Sequence, residues 1–335
     1  MTKTKPKPAD KPALKQPLPP GSTIGMLGGG QLGRMSAMAA ASLGYRVHVF
    51  CPDEDAPAAQ VTALHTRARY DDEAALAAFA ETVDVVTYEF ENVPAATAAI
   101  LADRVPVRPG PEILHICQNR LREKDSLTRV VRDIGRPCVL KTAEMGYDGK
   151  GQVTIRPGSD LAEVWSAMAA GRDAAQGIVE AFVDFRLEAA VIVARGQDGS
   201  VQTYVPVENQ HHNHTLDQTI APARIAERVV ERAEAIARHT AEEIGLIGLL
   251  AIEMFITDDD EVLVNELAPR PHNSGHWTLD ACVTSQFEQH IRAVAGLPLG
   301  SPDRMADAVM KNLLGSEVER WRSLLADPMV KLHLY

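Results

Sequence analysis

Residues 26–34 read Met26-Leu27-Gly28-Gly29-Gly30-Gln31-Leu32-Gly33-Arg34 and close an apolar run that begins at Thr23. Glycines at positions 28, 30 and 33 keep the spacing G-x-G-x-x-G. In that pattern a strand ends in a tight turn, and a helix begins with its free amides facing an anion. Outward from it, residues 31–43 carry a helical pattern and residues 46–50 form a second apolar run. An alanine-rich helix then leads to another strand at Val83-Asp84-Val85-Val86-Thr87-Tyr88. Strand and helix in alternation specify a parallel sheet, so this stretch decides for an α/β region. Asp53, about twenty positions beyond the glycines, stands where a dinucleotide fingerprint keeps its acidic residue. A nicotinamide oxidoreductase is therefore one reading, carried only by three glycines and one carboxylate.

A chain of 335 residues exceeds one hydrophobic core, so roughly two or three domains are expected. No window approaches the eighteen or so apolar residues that span a bilayer, and the N-terminus lacks the apolar segment of a secretory signal. Neither a membrane nor an export route is indicated, and a cytoplasmic location is expected. The net charge of -11 argues against non-specific nucleic-acid binding and for a small substrate held in local basic pockets. Cys51, Cys117, Cys138 and Cys282 stand far apart among apolar neighbours, without zinc or disulfide spacing, and read as buried free thiols. Residues 1–22 are rich in lysine and proline and are expected to form a disordered tail.

The rhythm changes after Gly135. Short strand-like runs at residues 138–141, 153–155 and 189–194, with a helix near 160–169, suggest an α+β region. A long amphipathic helix at about 223–244 carries Ile225, Val229, Ala233, Ile236 and Thr240 on one stripe.

Residues 249–270, LLAIEMFITDDDEVLVNELAPR, are two apolar runs separated by Asp258-Asp259-Asp260-Glu261, which reads as a hairpin with a four-residue loop. If Thr257 pairs with Val262, Phe255 faces Val264 and Glu253 faces Glu266 on the same side of the sheet. Like charges in that relation destabilise a sheet unless a shared proton, a basic neighbour or a divalent cation offsets them. Magnesium with nucleotide phosphates fits best, because it takes one or two carboxylates plus phosphate oxygens. A register slipped by one residue would instead leave Glu266 in solvent.

The following loop, APRPHNSGHWT at residues 268–278, gathers Arg270, His272, Asn273, Ser274 and His276, a costly set to bury without a ligand. Arg270 suits a planar anion such as bicarbonate, held by two parallel hydrogen bonds. Residues 139–153, VLKTAEMGYDGKGQV, place glycines between two strands. This is no Walker loop, since no Ser or Thr follows the lysine to open a helix, yet its amides can form an anion nest. Lys141 in an apolar strand is best explained by a phosphate partner. In GIVEAFV, residues 177–183, strand backbone beside Glu180 could read an adenine edge. The histidines of QHHNHT, residues 210–215, lack the further ligands of a zinc site.

Taken in order, GGGQLGRM, TYEFENV, GYDGKGQ, VEAFV, IEMF and NELAPRPHNSGHWT closely resemble the phosphoribosylaminoimidazole carboxylase ATPase subunits, a purine-synthesis branch of the ATP-grasp family. The resemblance covers Thr23 to about Tyr335. It implies a Rossmann-like parallel-sheet domain at 23–118 and an ATP-grasp domain at 119–300, with a lid at about 138–185 that closes over the reaction. It also implies the start of a small C-terminal domain at 301–335, ending before the family's basic, glycine-containing segment; the chain is likewise expected to be short before Gly135.

The resemblance further implies that ATP phosphorylates bicarbonate to carboxyphosphate, which carboxylates the amine of aminoimidazole ribonucleotide. ATP contacts fall on Arg120, Lys141, Gly146, Tyr147, Asp148, Gly149, Lys150, Gly151, Gln152, Glu180, Ala181, Phe182, Val183, Glu188, His211, Asn265 and Glu266. Glu253 and Glu266 would hold Mg2+, with Mn2+ as an alternative ion. Asp148, Lys150 and Arg270 would be catalytic. The ribonucleotide would meet Gln31, Leu32, Glu89, Tyr147, His272, Asn273 and Ser274. A homodimer and a functional link to the mutase that uses the product are also implied. A related ligase with another acceptor and a nucleotide-binding regulator are the competing readings.

Overall fold

The computed structural model of the chain describes residues 17–90, 92–118, 137–142, 152–169, 177–212 and 215–335. Its first unit is a four-stranded parallel sheet in the order β3-β2-β1-β4: β1 (Thr23–Leu27), β2 (Arg46–Cys51), β3 (Leu64–Arg67) and β4 (Val85–Tyr88). Helices α1 (Gln31–Ser42), α2 (Glu73–Ala80) and α3 (Ala95–Ala102) cover it. Ile24, Met26, Val47, Val49 and Val85 fill one side, and Phe50, Leu76, Phe79 and Tyr88 the other. Both faces are buried, as a parallel sheet requires. The strand order reverses between β1 and β4, which opens a crevice at their C-terminal ends.

Residues 17–22 correct the expected disordered tail at its end. Leu18 is buried, its amide bonds Ala295 O at 2.9 Å, and its carbonyl accepts from Tyr45 at 2.7 Å. One apolar side chain among prolines suffices to anchor the segment.

After α4 (Pro111–Gln118) comes a small antiparallel sheet in the order β6-β5-β7, made of β5 (Cys138–Thr142), β6 (Gln152–Ile155) and β7 (Gly177–Ala181). Helix α5 (Leu161–Ala169) packs on it through Leu161, Val164 and Trp165. A seven-stranded sheet follows, in the order β13-β12-β8-β10-β11-β14 with β9 paired to β8. Its strands are β8 (Leu187–Arg195), β9 (Val201–Thr203), β10 (Val207–His212), β11 (Thr215–Ala221), β12 (Gly248–Ile256), β13 (Val262–Ala268) and β14 (Ala308–Lys311), all antiparallel. The boundary expected at 301 falls inside this sheet, because β14 pairs with β11.

Helix α6 (Glu227–Glu243) buries Val229, Ala233, Ala237 and Ala241. Three alanines at four-residue spacing let its backbone lie close to β8. Among the described residues no helix is long and apolar enough to cross a membrane. Cys51, Cys138 and Cys282 are buried free thiols and Cys117 a half-buried one, as their apolar neighbours implied.

After α7 (Thr278–Ala281), helix α8 (Gln286–Ala295) joins the two units. Ser285 caps its start, and Gly296, with φ 76°, ends it in a left-handed turn. Arg108 reaches its C-terminal end and donates to Val294 O at 3.1 Å, where the helix dipole favours a cation. His290 bonds Thr87 of β4 at 3.0 Å through Nε2. Burial lowers its pKa to about 3, and that of His276 to about 4.

Both imidazoles are therefore neutral when folded at pH values where the unfolded chain takes up protons. Stability is expected to fall as pH drops from about 6.5 toward 4, with a slope of at most about 1.4 kcal/mol per pH unit from each histidine. Thermal unfolding of a His290→Gln variant should show a shallower slope over that range. An unchanged slope would mean that His290 does not exclude protons in the fold.

Candidate functional site

The glycine turn after β1 meets Glu89, the first residue after β4, in the crevice where the strand order reverses. Glu89 is 7% exposed, and its carboxylate accepts from the amides of Gly30 and Gly33, the latter at 2.9 Å. A Cβ on Gly30 would lie 2.8 Å from Glu89 Oε1, and one on Gly28, where φ is +101°, 2.5 Å from Glu89 Cγ. The glycines thus admit a carboxylate of the chain itself to the helix N-terminus, the seat of the pyrophosphate in a dinucleotide fold. Asp53 is exposed beyond β2. The nicotinamide reading loses both of its supports. Burial raises the pKa of Glu89, while the Gly33 and Gly30 amides and the charge of Arg270 oppose that shift. Gln31 opens α1 half-buried, and Leu32 packs with Met35 and Phe287.

A second cluster lies between the small and large sheets. Lys141 of β5 is 7% exposed, and its Nζ is 2.6 Å from Glu180 Oε2 on β7 and 3.1 Å from Asn265 Oδ1 on β13. One ammonium therefore joins three of the expected nucleotide residues and ties the two sheets together. Gln152 pairs with Lys141 across β5 and β6. Ala181 ends β7, Phe182 is exposed and Val183 half-buried.

On the large sheet, Glu253 and Glu266 are direct partners across β12 and β13. The route to that pairing differs from the expectation. Ile256, not Thr257, pairs with Val262, and Met254, not Phe255, pairs with Val264. A bulge between Glu253 and Met254 then gives β13 one extra residue, Asn265, and restores the carboxylate pair. Such bulges re-aim side chains beside active sites, and here Asn265 turns to Lys141 while Glu266 faces Glu253.

The pairing register places Phe255 and, on the next strands, Glu188 and His211 along the same face. His211 Nδ1 is 2.9 Å from Glu188 Oε2. Phe255 stacks on Phe185 with ring centroids 4.5 Å apart, an apolar plate beside the charges.

The loop after β13 supplies the counter-charge. His272 Nε2 is 3.1 Å from Glu253 Oε1, and its Nδ1 is 2.8 Å from Ser274 Oγ. The Ser274 amide also points at Nδ1, at 3.4 Å, so Nε2 carries the hydrogen shared with Glu253. Burial raises the pKa of Glu253, but the hydrogen bond from His272 and the electrostatic influence of His272, His211 and Arg270 more than reverse this, to about 2. Glu253 is held ionised.

Arg270 Nη1 bonds Pro271 O at 3.0 Å. Asn273 Oδ1 and His276 Nε2 are buried atoms without a partner among the described residues. The hydrogen bond of His272 to Glu253, the plate of Phe185 and Phe255, and Glu89 as the ligand of its own glycine turn were not read from sequence. Only the adjacency of His272 to the carboxylate-bearing strand hinted at the first. Arg120, Gly146, Tyr147, Asp148, Gly149, Lys150 and Gly151 lie outside the described residues.

The donor set fits magnesium: two acceptor-only carboxylates, one of them firmly ionised, open toward a cation-lined cleft. Among the described residues no group of three His, Cys, Asp or Glu forms a closed metal cage.

Comparison with known proteins agrees with this geometry. Residues 22–118 match the ribonucleotide synthetase preATP-grasp domain, and residues 117–287 the ATP-grasp domain. A bifunctional purine synthesis protein of Dictyostelium discoideum is 45% identical over 95% of the chain, which spans only 36% of that protein's length. The N5-carboxyaminoimidazole ribonucleotide synthase of Bacillus subtilis is 44% identical over 91% of the chain and 84% of its own. The N5-carboxyaminoimidazole synthase of Aspergillus clavatus, solved with ADP and 5-aminoimidazole ribonucleotide, superposes with a TM-score of 0.83 at 28% identity, covering 92% of this chain and 87% of that one.

Proposed function

The chain belongs to the N5-carboxyaminoimidazole ribonucleotide synthetase family of ATP-grasp ligases, and from that premise we propose how its residues divide the reaction between two sites. The reaction is the ATP-dependent carboxylation of 5-aminoimidazole ribonucleotide in purine biosynthesis. A bicarbonate oxygen attacks the γ-phosphorus of ATP, ADP leaves, and carboxyphosphate forms. The substrate amine then bonds to the carboxyl carbon, the carbon–oxygen bond to phosphate breaks, and the amine gives up a proton.

ATP occupies the cleft between the two sheets. Lys141 presents its charge to the phosphates, Glu180 to Val183 border the base, and Glu188, His211 and Asn265 complete the lining. Glu253 and Glu266 hold Mg2+, which when bound draws charge from the phosphoryl oxygens. Arg270 holds the bicarbonate-derived anion in two-point fashion. Its charge lowers the pKa of both Glu253 and Glu89, which supports a place within electrostatic reach of both sites. The ribonucleotide enters from the crevice of the N-terminal sheet, against Gln31, Leu32 and Glu89, and meets His272, Asn273 and Ser274.

The observation that carries this reading is the partnership of Glu253 and Glu266 on a sheet face joined by Lys141 to the smaller sheet. A paired-carboxylate face opposite a cation is what phosphoryl transfer requires. Release of ADP is expected to rise above any basal ATPase only when bicarbonate and aminoimidazole ribonucleotide are both present. Turnover indifferent to both, or satisfied by another acid and amine, would overturn the assignment.

A further inference from the structure

Gln286, the first residue of α8, is fully buried, and its carboxamide makes both of its bonds to a single residue of the site loop. The His272 amide donates to Oε1 at 2.9 Å, and Nε2 donates to His272 O at 2.7 Å. His272 is extended, with φ -124° and ψ 149°. The N–H and C=O of an extended residue project to one side, as toward a neighbouring strand. A carboxamide offers one donor and one acceptor in the matching arrangement. Gln286 therefore replaces the strand that the chain loses when it leaves β13.

The clamp is itself fixed. The Gln286 amide donates to Thr278 Oγ1 at 2.9 Å, and Thr278 Oγ1 donates to Gly275 O at 2.6 Å. The loop passes so close that a Cβ on Gly275 would lie 2.4 Å from Gln286 Oε1. On its other side, His272 presents its ring to Glu253 at 3.1 Å.

We propose that Gln286 is a positioning residue: by its two bonds to the His272 peptide it sets the imidazole that orients the Glu253 carboxylate. This rests on the reading of the cleft as the ATP site. A partner one step behind a metal ligand, here His272, is worth about 10–100-fold in metal affinity or activity, which bounds from above what Gln286, one step further, contributes.

The same helix supplies its own control. Gln289, also fully buried, makes the same two-bond clamp on Gly300, with Nε2 to O at 2.9 Å and N to Oε1 at 2.7 Å, away from the site. Gln286→Met and Gln289→Met of the full chain are compared by thermal unfolding, kcat and the Mg2+ concentration for half-maximal activity. Both should lower the unfolding midpoint. Only Gln286→Met should lower kcat, by up to about 10-fold, and raise the Mg2+ requirement.

A third variant, Gln286→Glu, reproduces both bonds when its carboxyl is protonated and turns a second acceptor on the His272 carbonyl when it is not. Its activity relative to the unsubstituted chain should recover as pH falls from 8 toward 6. His272 and Glu253 are common to both chains and titrate together with the new carboxyl, so the ratio reads the coupled site. Should Gln286→Met fail to fold, the pH ratio of Gln286→Glu decides alone. Equal kcat in the two Met variants, or a flat ratio, overturns the proposal. Absence of bicarbonate-dependent and ribonucleotide-dependent ADP release from the unsubstituted chain overturns the functional reading as well.

Discussion

Glutamine in place of Glu266 is expected to lower co-substrate-dependent ADP release by roughly 10³-fold, the scale of removing a preorganised electrostatic element from an active site. Glu266 sits directly opposite Glu253, whose pKa of about 2 keeps its charge at any working pH. Like charges directly opposite each other across two strands are unfavourable without a compensating cation. The amide removes that repulsion and the metal hold together. The metal-free variant should lose its activity yet still unfold cooperatively, with any shift of its midpoint small beside the loss of turnover. That separation marks a residue kept for chemistry and not for folding. Loss of activity with a large fall in unfolding midpoint would instead make Glu266 a structural residue. Retained activity would remove it from the metal site.

The second large effect belongs to Gly28→Ala. Alanine there must hold φ near +101°, and its methyl meets Glu89 Cγ at 2.5 Å and Phe90 Cδ1 at 2.8 Å. Strain of about 1–3 kcal/mol adds to overpacking of about 1–3 kcal/mol, so the midpoint should fall by roughly 5–10 °C. Where the variant stays folded, displacement of Glu89 should raise KM for aminoimidazole ribonucleotide several-fold more than KM for ATP. Equal changes in the two constants would separate the crevice from ribonucleotide binding.

The sequence reading was strongest where chemistry and periodicity coincide. The glycine turn, the alternation around β1, β2 and β4, and the carboxylates of β12 and β13 were all legible, because each is local and patterned. Strand β3 was not: Leu64-His65-Thr66-Arg67 is short, polar and half exposed, with no apolar alternation to announce it.

The hairpin shows a subtler limit. Loop length set the register one residue out at the tip, because Thr257 closes the turn by accepting Asp260 N while Asp260 adopts a left-handed φ of 62°. The bulge at Asn265 cancelled that error at Glu266, and nothing in VLVNELA signals a bulge. Glu89 illustrates long range: its amide partner Gly33 lies 56 residues earlier, and only the three-dimensional strand order brings them together. Lys141 could be read as needing an anion, but that Glu180 and Asn265 both reach it depends on how two sheets face each other.

The carboxylate that fills the glycine turn has a consequence for what the crevice can recognise. A tethered anion is present at its seat at an effective concentration of millimolar or more, and the backbone that carries it is already ordered. A free anion must displace that occupant before it reaches the helix N-terminus, so the glycine spacing alone does not make this turn a phosphate site. Each oxygen of Glu89 accepts one amide and keeps a further lone pair to offer. On the proposed function, hydroxyl and amine donors of the ribonucleotide are what such a crevice would take up, in place of its phosphate.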